Sequence, residues 1–255
     1  MKKIYTFLLM ILCFGAGSSN AQLVTAAKAN TILKNRPHSQ LQRSVSATND
    51  AYMILGSTSV YRNIGGLTNT SEIKWGSQFS ASYLNSYNGG EIDTIYVAVS
   101  SGLSNTKLVI ANSNTSTPFY EKSVTLVAER WNEIILDNTL TIDASSSLFI
   151  GFEGTMAASS FPLYFDYLSS TNGNSWLGIK SSGAYSFTDY ASNFGNLSLY
   201  AIVRGDNLPQ YNVSLDNVTI PEYAKPTSTF IVSGEITNLA AQEISAFELE
   251  YSLNG

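Results

Sequence analysis

From Ala51 onward, short runs of Val, Ile, Tyr, Phe and Thr alternate with clusters of Asn, Gly and Ser roughly every 8–15 residues. No segment sustains a 3.6-residue period, so the chain has no long amphipathic helix to build on. Such a pattern buries its apolar residues by stacking sheets face to face. The sharpest instance is 75–83. Trp75, Phe79, Ala81 and Tyr83 fall on one parity, with Gly76, Gln78, Ser80 and Ser82 on the other. That spacing predicts a strand with one buried face. Asn88-Gly89-Gly90 then turns the chain into a strand over 92–99. Further strands are predicted at 107–111, 123–127, 131–136, 148–153, 163–168, 176–180 and 197–204, with an early one at 52–55. About ten strands in some 150 residues describe an all-β, jelly-roll-like β-sandwich over residues 51–207.

A second strand series follows a linker at 205–210, punctuated by Pro209. Strands are predicted at 211–215, 218–220, 230–237 and 244–253. In the last, Phe247, Leu249, Tyr251 and Leu253 share a face opposite Glu248, Glu250 and Ser252. An immunoglobulin-like sandwich takes about 100 residues and seven strands. Residues 208–255 hold about half of that and read as an incomplete immunoglobulin-like β-sandwich. The chain also ends on Asn254-Gly255, the favoured pair for a hairpin turn, where a returning strand is expected. The expectation is a fragment of a longer chain.

Residues 1–21 have the build of a secretory signal peptide. Lys2 and Lys3 precede an apolar run over 4–14, and Ser19-Asn20-Ala21 supplies the small residues of a cleavage site before Gln22. Residues 22–50 form a basic, polar leader or linker, with one short helix predicted over 24–34, stopped before Pro37. No other run approaches the roughly 18 apolar residues of a membrane span. The expected location is outside the cell or on its surface.

Two scarcities exclude whole classes of chemistry. Cys13 is the single cysteine and lies inside the signal segment, and His38 is the single histidine and lies outside both predicted domains. Disulfides, thiolate catalysis, Ser-His-Asp triads and His- or Cys-based zinc sites therefore lack their parts. Oxygen-ligand metals such as calcium remain. From Asp50 onward, eight Lys and Arg face nineteen Asp and Glu. An acidic body of this kind is unsuited to the phosphate backbone of nucleic acid.

The series Phe79, Gly89-Gly90, Ile92, Ile95, Val109, Trp131-Asn132, Ile135-Leu136, 148–152, Phe165-Asp166 and Trp176 resembles the jelly-roll modules of Gram-negative surface and secreted proteins. The cleaved-adhesin domains of gingipain-type proteins are the reference family. Residues 232–238, followed by 244–247, are similar to the start of the bacterial cell-adhesion-related, immunoglobulin-like domain. The resemblance implies adhesive or carbohydrate-binding modules, often attached to larger secreted proteins. It transfers no catalytic residue, and it brings no certain cofactor, although a structural calcium is common in the modules it resembles.

Three sets of residues are candidates for chemistry. Glu91 and Asp93 alternate as the paired acids of a jelly-roll glycosidase do, but Ile95 and Tyr96 stand where a further acid is required. No catalytic residue is predicted. Asp166, beside the Asn/Gly-rich stretch holding Asn172 and Asn174, could supply calcium ligands, although no Asp-x-Asp-x-Asp-Gly loop is present. A turn-capping Asp beside an Asn-Gly turn is the plainer reading. Trp176, at the head of the strand predicted at 176–180, Tyr185 and Tyr190 lie in loop-rich sequence after the Asp166 strand, where an aromatic ring is placed to meet a sugar. Trp75 and Trp131 lie on strands and are expected in the core. The sequence thus describes an exported, non-catalytic protein whose partner is a glycan or a cell-surface protein. Its alternatives are an accessory module of a secreted peptidase or glycosidase, and a structural spacer.

Overall fold

Two antiparallel sheets stacked face to face carry most of the chain in the computed structural model, as the alternation predicts. The structure describes residues 25–28, 52–166, 174–205, 208, 213–219, 233–238, 244 and 246. The strands run in order β1 (Thr25–Lys28), β2 (Tyr52–Gly56), β3 (Arg62–Gly65), β4 (Ser71–Phe79) and β5 (Glu91–Val99). They continue with β6 (Leu103–Ala111), β7 (Tyr120–Ser123), β8 (Arg130–Thr141), β9 (Leu148–Met156) and β10 (Leu163–Phe165). After these come β11 (Asn174–Ser181), β12 (Ala184–Asp189), β13 (Leu199–Arg204), β14 (Val213–Thr219) and β15 (Ser233–Asn238).

A seven-stranded sheet has the path β1-β3-β10-β5-β13-β2, with β8 on the other edge of β5. The six-stranded sheet has the order β12-β11-β4-β9-β6-β7. β14 and β15 form a separate antiparallel pair. The inner faces meet in one core. Ile73, Trp75 and Phe79 of β4 join Phe152 of β9, Leu108 of β6, Ile95 of β5 and Leu199 of β13. Trp75 stacks on Phe152 across the β4–β9 pair, with centroids 5.4 Å apart. Side chains buried this fully contribute about 1.5–3 kcal/mol each.

Local chemistry moves several predicted boundaries. The strand expected over 75–83 ends at Phe79, because the Ser80 hydroxyl accepts the Tyr83 amide N–H at 3.2 Å and starts a helical turn over Ala81–Leu84. Tyr83 still serves the core, stacked between Phe79 and Tyr87 at 5.8 Å from each. Part of the helix expected over 24–34 is instead a strand. Thr25–Lys28 pairs with Arg62–Gly65, where a sheet edge supplies backbone partners that helix propensity does not outweigh. The strand expected at 123–127 lies at Tyr120–Ser123, and that expected at 131–136 runs on to Thr141. The strands expected at 211–215 and 218–220 are one strand, Val213–Thr219. Arg62–Gly65 and Ala184–Asp189 are strands that the reading left as loops. The predicted signal segment and most of the strand expected at 244–253 lie outside the described residues. Among the described residues, no helix is long and apolar enough to cross a membrane.

Candidate functional site: the outward face of the six-stranded sheet

The two outward faces of the sandwich differ in kind. On the seven-stranded sheet a group of outward aromatic side chains packs together and is closed over. Tyr96 stacks on Tyr200 at 4.8 Å, and Trp131 lies edge-on to Tyr200 at 5.2 Å. The hydroxyls of Tyr96 and Tyr164 donate to Glu133 and Glu129 at 2.5 and 2.7 Å. Trp131 therefore packs, but on the outside of its sheet, whereas Trp75 is in the core.

On the six-stranded sheet the outward residues are those on the parity opposite the core. Strand register aligns them in rows across the sheet. One row reads Phe187, Gly178, Lys74, Glu153, Lys107 and Ser123. The next reads Asp189, Trp176, Gly76, Gly151, Val109 and Glu121. The second row leads into a closed end. The Phe149 ring lies over the strand where Gly76 and Gly151 leave room, since a Cβ at either would stand 2.6 or 2.5 Å from its Cζ. The Asn114 amide N–H donates to Gln78 Oε1 at 3.3 Å, so the segment after β6 crosses β9 and covers this end. Phe149, Val109 and Ala111 are fully buried beneath it.

The first row leads to an open end, where a cavity of about 740 Å³ lies along the sheet. Glu72, Lys107, Glu153 and Thr155 line it from the strands, and Tyr185 borders it. A bulge in β6 shapes the rim. The β6–β9 register shifts between Ser104 and Lys107, and Asn105 takes the left-handed conformation at φ 53°. Asn tolerates that conformation better than most residues. The bulged Thr106 holds the opposite wall. Its Oγ1 donates to the Val124 carbonyl at 2.7 Å, and the Val124 amide returns a bond to the Thr106 carbonyl at 3.0 Å.

Charges on this face are paired. Lys180 meets Glu72 at 2.5 Å, and Lys74 meets Glu153 at 3.6 Å. Lys107 bridges Glu121 at 2.9 Å and Glu153 at 3.3 Å. Lys74 is the buried member, 4% exposed, with its ammonium 5.6 Å from the Phe149 centroid. Burial pulls its pKa below the ordinary lysine value, and Glu153 opposes that shift. The hydrogen bond to Glu121 raises Lys107, and burial raises the Tyr185 hydroxyl.

The structure brings two of the three sequence-predicted aromatics to this face. Trp176, Phe187 and Tyr185 follow one another along it, at 6.5 and 5.9 Å. The Trp176 indole N–H is buried without a hydrogen-bond partner among the described residues. Trp176 stands on β11, where the strand predicted at 176–180 places it, and Tyr185 stands on β12 rather than on a loop, because Ser182 and Gly183 both take positive φ, 52° and 87°, and close a two-residue turn between the two strands. Tyr190 turns the other way, packs against the core and stacks on Phe194 at 5.7 Å.

Asp166 lies elsewhere, 5% exposed and held by protein donors. The Ser57 hydroxyl and Asn196 Nδ2 donate to its Oδ2 at 2.7 and 2.9 Å, and the Asn196 amide donates to Oδ1 at 2.8 Å. Asn172 and the side chain of Asn174 lie outside the described residues. Among the described residues, no three His, Cys, Asp or Glu side chains converge as metal ligands. Asp93 is occupied by Arg204 at 2.8 Å.

Sequence reasoning missed Glu72, Lys107 and Glu153. Their parity was legible, but the rows that gather them depend on register between strands far apart in the chain. Comparison with protein-family models, with curated proteins and with solved structures returned no match.

Proposed function

We propose that the protein is an exported, non-catalytic recognition module that binds glycans through the open groove of the six-stranded sheet. The observation that carries this reading is the lining of the groove. Carboxylates, an ammonium group and side-chain hydroxyls stand beside a tyrosine ring on a rigid sheet. A sugar presents the complementary surface, since each hydroxyl both donates and accepts while the ring C–H face is apolar. Binding of this kind needs no nucleophile or cofactor. Strands hold the polar groups at fixed spacing, so few of them are ordered at the moment of binding. The signal-like N-terminus and the resemblance to cleaved-adhesin and cell-adhesion-related domains point the same way, towards a protein that acts outside the cell.

A glycan array probed with the purified protein, with and without calcium, tests the proposal. Defined glycan hits are expected in both conditions. A blank array from folded, monodisperse protein overturns the reading.

A further inference from the structure

Resting on that reading, the charge arrangement narrows the ligand class. We infer that the groove takes a short, neutral oligosaccharide and rejects sulfated and uronic-acid sugars. Among the described residues, Lys74, Lys107 and Lys180 are the cations of this face, and each already has a carboxylate within 3.6 Å. Lys107 stands between two carboxylates. A sulfate or carboxylate entering here meets Glu72 and Glu153 before it gains a free ammonium. It reaches a lysine only against the repulsion of the carboxylate that lysine already holds, or by displacing that carboxylate. A neutral hydroxyl has no such conflict. It donates to a carboxylate oxygen and accepts from an ammonium while the ion pairs persist. The volume of about 740 Å³ lies within the range of small-ligand sites, which suits a short oligosaccharide rather than a single ring. Tyr185 borders the groove and supplies the apolar contact, with the Lys180 ammonium 5.8 Å from its ring centroid. Recognition without net charge also sets the salt response: screening weakens attraction between opposite charges and leaves hydroxyl hydrogen bonds almost untouched.

The test is calorimetric titration of the purified protein with cellotetraose, maltotetraose and mannotetraose as neutral probes. A heparin tetrasaccharide and tetragalacturonate serve as the anionic probes. At least one neutral probe is expected to bind, with a Kd that changes less than about twofold between low and high salt. Tyr185→Ala and Glu72→Gln, both at the surface of the groove, are expected to weaken it about tenfold, a loss of about 1.4 kcal/mol. Phe119→Ala, 52% exposed and away from the groove lining, is the control expected to leave binding unchanged. Circular dichroism and melting curves establish that the variants fold. Anionic binding that is lost in the same groove variants overturns the neutral assignment and leaves the glycan reading standing. Neutral binding that survives both variants moves the site elsewhere, overturns the inference and the assignment to this groove, and leaves only glycan binding standing. If none of the five probes binds at millimolar concentration the inference falls, and the array then decides the broader reading.

Discussion

Gly76 sits where β4, β9 and the Phe149 ring converge, and its missing side chain is what lets them meet. A Cβ there would stand 2.4 Å from the Ile150 carbonyl oxygen and 2.5 Å from the Gly151 Cα. Backbone of the neighbouring strand cannot yield as a flexible side chain does. Gly76→Ala is therefore expected to destabilise the protein by about 1–3 kcal/mol, the usual cost of overpacking. Thermal melting should show a loss of several degrees, and an unchanged melting temperature would refute the account. Asp166 illustrates how far one residue can be read from sequence alone. An Asp beside Asn and Gly suggests calcium or a turn, and nothing in that local string announces Ser57, which is 109 residues away and donates to the carboxylate. The parity of Trp75 was enough to place it in the core, whereas Trp131 needed the strand's partner sheet to settle which side it faces.

β8 is an edge strand of twelve residues, long enough to invite pairing with another chain. Two side chains of β7 occupy its open backbone. The Lys122 ammonium donates to the Ile135 carbonyl at 2.8 Å, and the Asp137 amide donates to the Tyr120 hydroxyl at 3.0 Å. A Lys122–Asp137 ion pair at 2.5 Å completes the clasp. Combining Tyr120→Phe with Lys122→Ala should expose the edge, and light scattering is expected to show self-association that the parent protein lacks. The hydrogen bond from Lys122 holds the Asp137 carboxyl below its ordinary value of 3.8. The folded value is depressed, so the stabilising contribution is present above pH 3.8 and is lost as the pH falls through the lower folded value. The melting-temperature gap between the parent protein and Asp137→Asn should accordingly narrow below that pH. A gap that stays constant on acidification would show that the pair contributes nothing. At this scale the hairpin of β11 and β12 was partly legible: Tyr185 and Phe187 alternate with Ser186 and Thr188, but the surrounding Ser and Gly residues masked the short period. The helical turn at Ala81–Leu84 was hidden for the opposite reason, since its aromatics happen to continue the strand parity.

At the scale of the sandwich, the largest buried cluster is the layer between the two sheets, with smaller ones on the outward face of the seven-stranded sheet. Trp75 lies in that layer, 1% exposed, with the chain otherwise free of the disulfides that staple many exported domains. Trp75→Ala is expected to cost about 3–5 kcal/mol, and denaturant unfolding should move to lower midpoint with its slope preserved. A shift of less than 1 kcal/mol would mean that the layer collapses around the gap. The sequence by itself determined the sandwich, because side-chain direction in a strand alternates with period 2 and apolar parity therefore names the buried face. By elimination it also ruled out chemistry based on thiols or histidine clusters. Which strands are neighbours was decided only by the tertiary structure. Register brought Glu72, Lys107, Glu153 and Tyr185 to one groove, and it turned Tyr190 towards the core. Parity is a property of each strand alone, whereas register is settled between strands, by backbone hydrogen bonds and by how well two buried faces fit.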